Sequence, residues 1–147
     1  MTADAFVLDA SVTAAWLLPD EHTEPARRVY AKLRSQTVEA HAPELWLWEC
    51  GNIIANSVKR QRMTPADALL TWSVLDAVRT RVELAVFEPG QVRACLVLAA
   101  DHGLSIYDSA YLWLAQSLGL PLLTNDDRLE RAARKQAVSL LTLEALS

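Results

Sequence analysis

Four acidic residues stand where a carboxylate needs a reason. Asp9 ends the apolar stretch Ala5–Leu8, and Asp126 follows the run "PLLTN". Glu49 lies inside "PELWLWECGNIIAN", and Asp108 opens "DSAYLWLA". Carboxylates grouped without histidine or cysteine are hard-oxygen ligands suited to Mg²⁺ or Mn²⁺. Their mutual repulsion raises their pKa values unless a cation stands between them. Two such ions about 3.5–4 Å apart activate water and stabilise the leaving oxygen in phosphodiester cleavage. Ser11 and Thr124 place hydroxyls beside Asp9 and Asp126, where they can orient water or a carboxylate. Other metal chemistry is not written in the chain: His22, His41 and His102 have no zinc-ligand spacing, and four glycines make no phosphate-cradling loop.

Each acid also has a plainer reading. Asp9, Asp108 and Asp126 are all placed to cap a following helix. Glu49 is different, because Trp46, Leu47, Trp48, Cys50, Ile53 and Ile54 surround it on an apolar helix. Asn52 and Asn56 fall three and seven residues later, on the same stripe. A polar stripe on a buried helix needs partners, since an unpaired buried carboxylate is expensive; a solvated stripe is the alternative.

The elements that must position these residues alternate between strand and helix. Strands are expected at Ala5–Leu8, Thr37–His41, Val82–Phe87 (closed by Pro89-Gly90), Pro121–Thr124 and Val138–Leu141. Helices are expected at Val12–Leu18, from Thr23 to Arg34, Glu44–Arg62, from the Thr64-Pro65-Ala66-Asp67 capping box to Arg79, Gln91–His102, Asp108–Leu118 and Asp127–Gln136. That alternation implies an α/β fold with a parallel sheet. Ligands of such sheets bind beyond the carboxyl ends of the strands, where Asp9 and Asp126 fall.

With 147 residues, 52% hydrophobic and 22% charged, the chain reads as one folded domain over 1–147. Its longest apolar run, Ala94–Ala100, is too short to span a bilayer, and no leader pattern is visible at its start. Cys50 and Cys95 read as buried thiols of a reducing compartment, so a cytoplasmic protein is expected. The net charge of −4 argues against a general nucleic-acid coat, but setting four of the 18 acids against metal leaves 14 acidic and 14 basic residues.

Four segments, "VLDASVTAAWLLPDE", "PELWLWECGNII", "LSIYDSAYLWLA" and "LLTNDDRLERAA", in this order and spacing, resemble the PIN-domain ribonucleases, and within them the VapC-like toxins of bacterial toxin–antitoxin pairs. The resemblance covers nearly the whole chain. It implies a three-layer domain whose five-stranded parallel sheet has the order 3-2-1-4-5. It implies that Asp9, Glu49, Asp108 and Asp126 form the Mg²⁺ or Mn²⁺ site of an endoribonuclease. Family members commonly carry one acid in the last motif; Asp126 matches it by position, leaving Asp127 as a cap or further ligand. The resemblance also implies a homodimer that binds RNA and an antitoxin. Dehalogenase-type enzymes fit worse, wanting an Asp where Ser11 stands, and receiver domains want a lysine just after a strand. The alternatives are a catalytically idle PIN-fold binding module and a phosphatase for small phosphoesters.

Two basic groups are candidates for RNA phosphate, with solvated helix faces as the alternative: Arg128, Arg131, Arg134 and Lys135, and Lys59, Arg60 and Arg62. Of five tryptophans, Trp72 and Trp113 read as core. Trp46 and Trp48 point about 200° apart on a helix, so one of them should be exposed. With Trp16, that residue is expected to anchor an amphipathic antitoxin helix, whose trailing arginine would reach the acids.

Overall fold

A computed structural model describes residues 4–146; residues 1–3 and 147 lie outside it. Five parallel strands form one sheet in the order β3-β2-β1-β4-β5. They are β1 (Asp4–Leu8), β2 (Val38–Pro43), β3 (Val82–Ala85), β4 (Leu122–Leu123) and β5 (Leu140–Leu141). Eight helices flank the sheet among the described residues: α1 (Ala10–Leu17), α2 (Glu24–Arg34), α3 (Leu45–Lys59), α4 (Pro65–Arg79), α5 (Pro89–His102), α6 (Ile106–Leu118), α7 (Asp127–Lys135) and α8 (Leu143–Leu146). The expected class and strand order are those observed. None of these helices is long and apolar enough to cross a membrane.

β1 is central, and its Phe6, Val7 and Leu8 are wholly buried, as a strand covered on both faces requires. Its pairing with β4 aligns Val7 with Leu122 and Leu8 with Leu123. The next residues along, Asp9 and Thr124, are thereby brought side by side at the carboxyl edge. Helix ends follow local chemistry. Thr23 and Thr64 cap α2 and α4 by accepting from the N–H groups of Ala26 and Asp67. Gly103 and Gly119 end α5 and α6 with φ of 64° and 65°, a left-handed turn that only glycine takes without cost.

Three expectations change. Pro89-Gly90 does not close β3 but opens α5: the Glu88 side chain and Gln91 make a reciprocal capping box, with Pro89 in the first turn. Trp16 is buried among the core residues rather than set on a groove, stacked edge-on against Tyr30 at 5.6 Å. Trp46 is also fully buried, its indole N–H donating to the Thr13 hydroxyl at 3.0 Å. Neither can anchor a partner. Trp48 is the exposed member of the pair, at 80%. Trp72 and Trp113 are only partly buried, each packed against the edge of the core.

Candidate active site

Asp9, Ser11, Glu49, Asn52, Asp108 and Asp126 line one cavity of about 210 Å³ at the carboxyl edge of the sheet. Its walls come from the β1 end, α3, the start of α6 and the start of α7, so four separated segments each deliver one carboxylate. Thr124 lies behind Asp9. Asp127 is exposed and takes no part in the lining.

Asp9 is only 4% exposed. Its Oδ2 accepts hydrogen bonds from the Ser11 hydroxyl at 2.6 Å and the Thr124 hydroxyl at 2.7 Å. Those hydroxyls in turn accept from the backbone N–H groups of Asn125, at 2.9 Å, and Asp126, at 3.0 Å. This network ties the ends of β1 and β4 together and fixes the Asp9 carboxylate. Both hydroxyls bind the same oxygen, so Oδ1 receives neither.

The other acids are held differently. Glu49 Oε1 accepts from the buried Tyr111 hydroxyl at 2.5 Å, linking α3 to α6. Asp108 does not cap α6. Ser105 does, its hydroxyl accepting from the Asp108 N–H at 3.0 Å, which leaves the Asp108 carboxylate out of the cap. Asp126 does cap α7, its Oδ1 accepting from the Leu129 N–H at 3.0 Å, so the capping role falls to Asp126 and not Asp127. Asp126 therefore caps with one oxygen while its side chain also borders the cavity. Asn56 sits one turn along α3 in a larger adjoining hollow of about 680 Å³ that shares Ser11 and Ile53 with the acid cavity.

Burial pushes the Asp9 carboxyl above its ordinary range; the two hydroxyls oppose that, and the charges of Asp108 and Asp126 add to it. Glu49 is raised by burial, opposed by Tyr111 and reinforced by Asp9 and Asp108. Asp108 is raised by burial and by Asp126, with Ser105 and the nearby Arg128 opposing. The acids thus act on one another as a single cluster of like charge. A carboxyl with a raised folded pKa favours the fold while protonated, and that advantage disappears as pH rises from the unfolded value, about 4, through the raised one. The metal-free protein is therefore expected to melt at lower temperature as pH is raised through that window in chelator. Asp108→Asn, with one member removed, should show a smaller decline. Equal slopes for the two proteins would contradict the clustering.

The donor set fits a hard divalent cation by its chemistry: oxygen ligands alone, of one charge sign, around one cavity. As the side chains stand, no three of His, Cys, Asp and Glu among the described residues are gathered closely enough to hold an ion.

Tyr111 is not among the residues singled out from sequence, and Arg128, singled out there for RNA phosphate, also acts on the charge of Asp108. Tyr111 has a signal that could have found it: it lies three residues after Asp108, a polar group in an apolar helix on the acid-bearing face.

A PIN domain family model matches residues 6–135. Ribonuclease VapC3 of Pyrobaculum aerophilum is 32% identical over 127 residues, spanning 84% of this chain and 90% of that one. Ribonuclease VapC12 of Mycobacterium tuberculosis is 34% identical over 127 residues, spanning 86% and 90%. Among solved structures, PAE2754 of P. aerophilum superposes with a TM-score of 0.72 at 22% identity, covering 99% of this chain and 93% of its own. VapBC2 of Rickettsia felis, bound to a DNA fragment from its promoter, gives 0.62 at 16%, covering 94% and 98%.

Proposed function

We propose that this chain, which belongs to the PIN-domain family, is a divalent-cation-dependent endoribonuclease that hydrolyses RNA phosphodiester bonds as the toxin of a toxin–antitoxin pair. The observation that carries this reading is the meeting of Asp9, Glu49, Asp108 and Asp126 around one cavity at the carboxyl edge of the sheet. The similarity to proteins named VapC ribonucleases supports the same chemistry.

Asp9, Glu49, Asp108 and Asp126 would hold Mg²⁺ or Mn²⁺. When bound, the ion supplies a Lewis acid and lowers the pKa of water. The residues of the chain do the rest. Ser11 and Thr124 hold Asp9 in one orientation, and Tyr111 does the same for Glu49. Ser105 takes over the cap of α6 and so releases the Asp108 carboxylate. Asn52, on the cavity wall, offers an amide to the substrate or to water. Arg128, close enough to Asp108 to lower its pKa, balances charge at the rim.

A homodimer and a complex with an antitoxin belong to the same reading, as does a cytoplasmic location. Exposed apolar residues on and beside α5, Val86, Val92, Leu96, Val97 and Tyr107, support a surface that a second copy covers. Trp48 is the tryptophan left free to meet a partner.

The test is a panel of structured RNAs incubated with purified protein in Mg²⁺, in Mn²⁺ and in chelator, beside a chromogenic phosphomonoester. RNA cleavage that chelator abolishes, with no phosphomonoester turnover, is expected. Turnover of the phosphomonoester without RNA cleavage would make the protein a small-molecule phosphatase. Neither activity, in protein that still binds its antitoxin, would make it an idle binding module.

A further inference from the structure

The basic residues of α7 do not form one cluster. Arg134 is paired with Glu130 at 3.6 Å, one turn back along the helix. Arg128, Arg131 and Lys135 make no ion pair among the described residues. These three line a separate cavity of about 180 Å³ with His102 and Gly103 from the end of α5. Their spacing of three and four residues stacks them along one helix face over about 10 Å.

The position of this face matters. Arg128 lines the basic cavity and also acts on the charge of Asp108 in the acid cavity. The turn that closes the basic cavity, at His102 and Gly103, leads within six residues to Asp108. Arg128 thus links the two cavities, standing two residues after Asp126 at the start of α7. In the second basic group Arg62 is held by Asp20, which leaves Lys59 and Arg60, consecutive residues at the end of α3 that do not share the three- and four-residue spacing of a row.

We infer that Arg128, Arg131 and Lys135 form a rail that holds the backbone phosphates of the RNA strand on one side of the bond to be cut. The inference rests on the ribonuclease reading and adds to it a binding site and a direction for the strand. A row of cations beside an acid cluster suits a single strand: the acids repel the chain except where a cation bridges them, and the rail supplies the attraction that brings the adjoining phosphates in. Arg131 and Lys135 are exposed, and a contact to phosphate carries no sequence information, so the rail should act equally on all sequences.

Arg131→Gln and Lys135→Gln, singly and together, test it; glutamine removes the charge and keeps the helix propensity. The control is Arg134→Gln, on the same helix but outside the cavity. Two readouts are used: anisotropy of a labelled mixed-sequence single-stranded RNA in chelator at several salt concentrations, and cleavage kinetics of the same RNA. The slope of log affinity against log salt should become shallower by about 0.7 for each single variant and about 1.4 for the double. KM should rise about tenfold or more for the double variant, with kcat kept and the melting temperature unmoved. Arg134→Gln should change none of these. If the double variant melts lower but keeps its salt slope and KM, the cations merely serve the end of α5 and the rail is wrong. If instead it loses its antitoxin and keeps RNA binding, the face belongs to a protein partner, and the rail is again wrong. A wild-type protein that cleaves RNA while its variants are unchanged overturns the rail alone. A wild type that neither binds nor cuts RNA overturns the ribonuclease reading with it.

Discussion

Asp108→Asn should lose RNA cleavage by at least about 100-fold while melting within a few degrees of the wild type. The size follows from removing one charged ligand from a site that stabilises a developing negative charge, an interaction worth several kcal/mol. The survival of the fold follows from the geometry. Ser105, not Asp108, caps α6, so the substitution takes away no capping bond. Asp108 is half-buried, beside Asp126, and neutralising it removes a repulsion. Asp9→Asn should be equally inactive, but it disturbs more, because Asp9 Oδ2 receives both hydroxyls that join β1 to β4. The check is cleavage rate beside thermal melting. An Asp108→Asn protein that cuts at near the wild-type rate would remove Asp108 from the chemistry.

Trp46→Ala should cost about 3–5 kcal/mol, most of the stability of a marginal domain. Trp46 is the largest fully buried side chain, and its indole N–H is the partner of the equally buried Thr13 hydroxyl. Truncation opens a cavity beneath α3 and takes the indole partner from that hydroxyl. The expected fall in melting temperature is about 10–15 °C. Trp48→Ala, two residues on, should stay within about 0.5 kcal/mol, because Trp48 is 80% exposed. The contrast also bears on the site, since Glu49 rides on the same helix three residues after Trp46. Denaturant melts of the two variants decide it; equal midpoints would mean that α3 is not packed as described.

How much of this could be read from the chain varies with the physics of each element. The strand ends were legible because a buried strand shows as an apolar run, and a carboxylate at its end is conspicuous; Asp9 and Asp126 stand out for that reason. The alternation of elements gave the parallel sheet, but the order of its strands came from family resemblance, since register and neighbours are long-range facts. Caps were less legible. Asp108 and Ser105 are both good capping residues, and only the backbone decides that Ser105 takes the role. Pro89-Gly90 looked like a stop because both residues punctuate structure, yet proline in a first helical turn is also favoured, and Glu88 with Gln91 selected that use. The place of Trp16 is not legible in the sequence, because periodicity cannot tell a helix buried on nearly every face from one lining a groove: α1 has seven of its eight residues buried. The basic clusters could not be sorted, because which arginine is spent on an acid, as Arg62 is on Asp20, depends on a contact between residues 42 apart. The position of Tyr111 is legible as a polar group on the acid-bearing face of its helix, but its role is not, because the hydroxyl gains its purpose only where Glu49 arrives from another element.

Everything proposed for the chemistry depends on Asp9, Glu49, Asp108 and Asp126 acting together on a divalent cation. The most direct measurement is the anomalous difference map of crystals soaked in Mn²⁺. The account predicts a manganese peak in the cavity between these four carboxylates, lost in crystals of Asp108→Asn. A manganese-soaked crystal with no peak there, or with its peak on other residues while RNA cleavage still requires the metal, would contradict it.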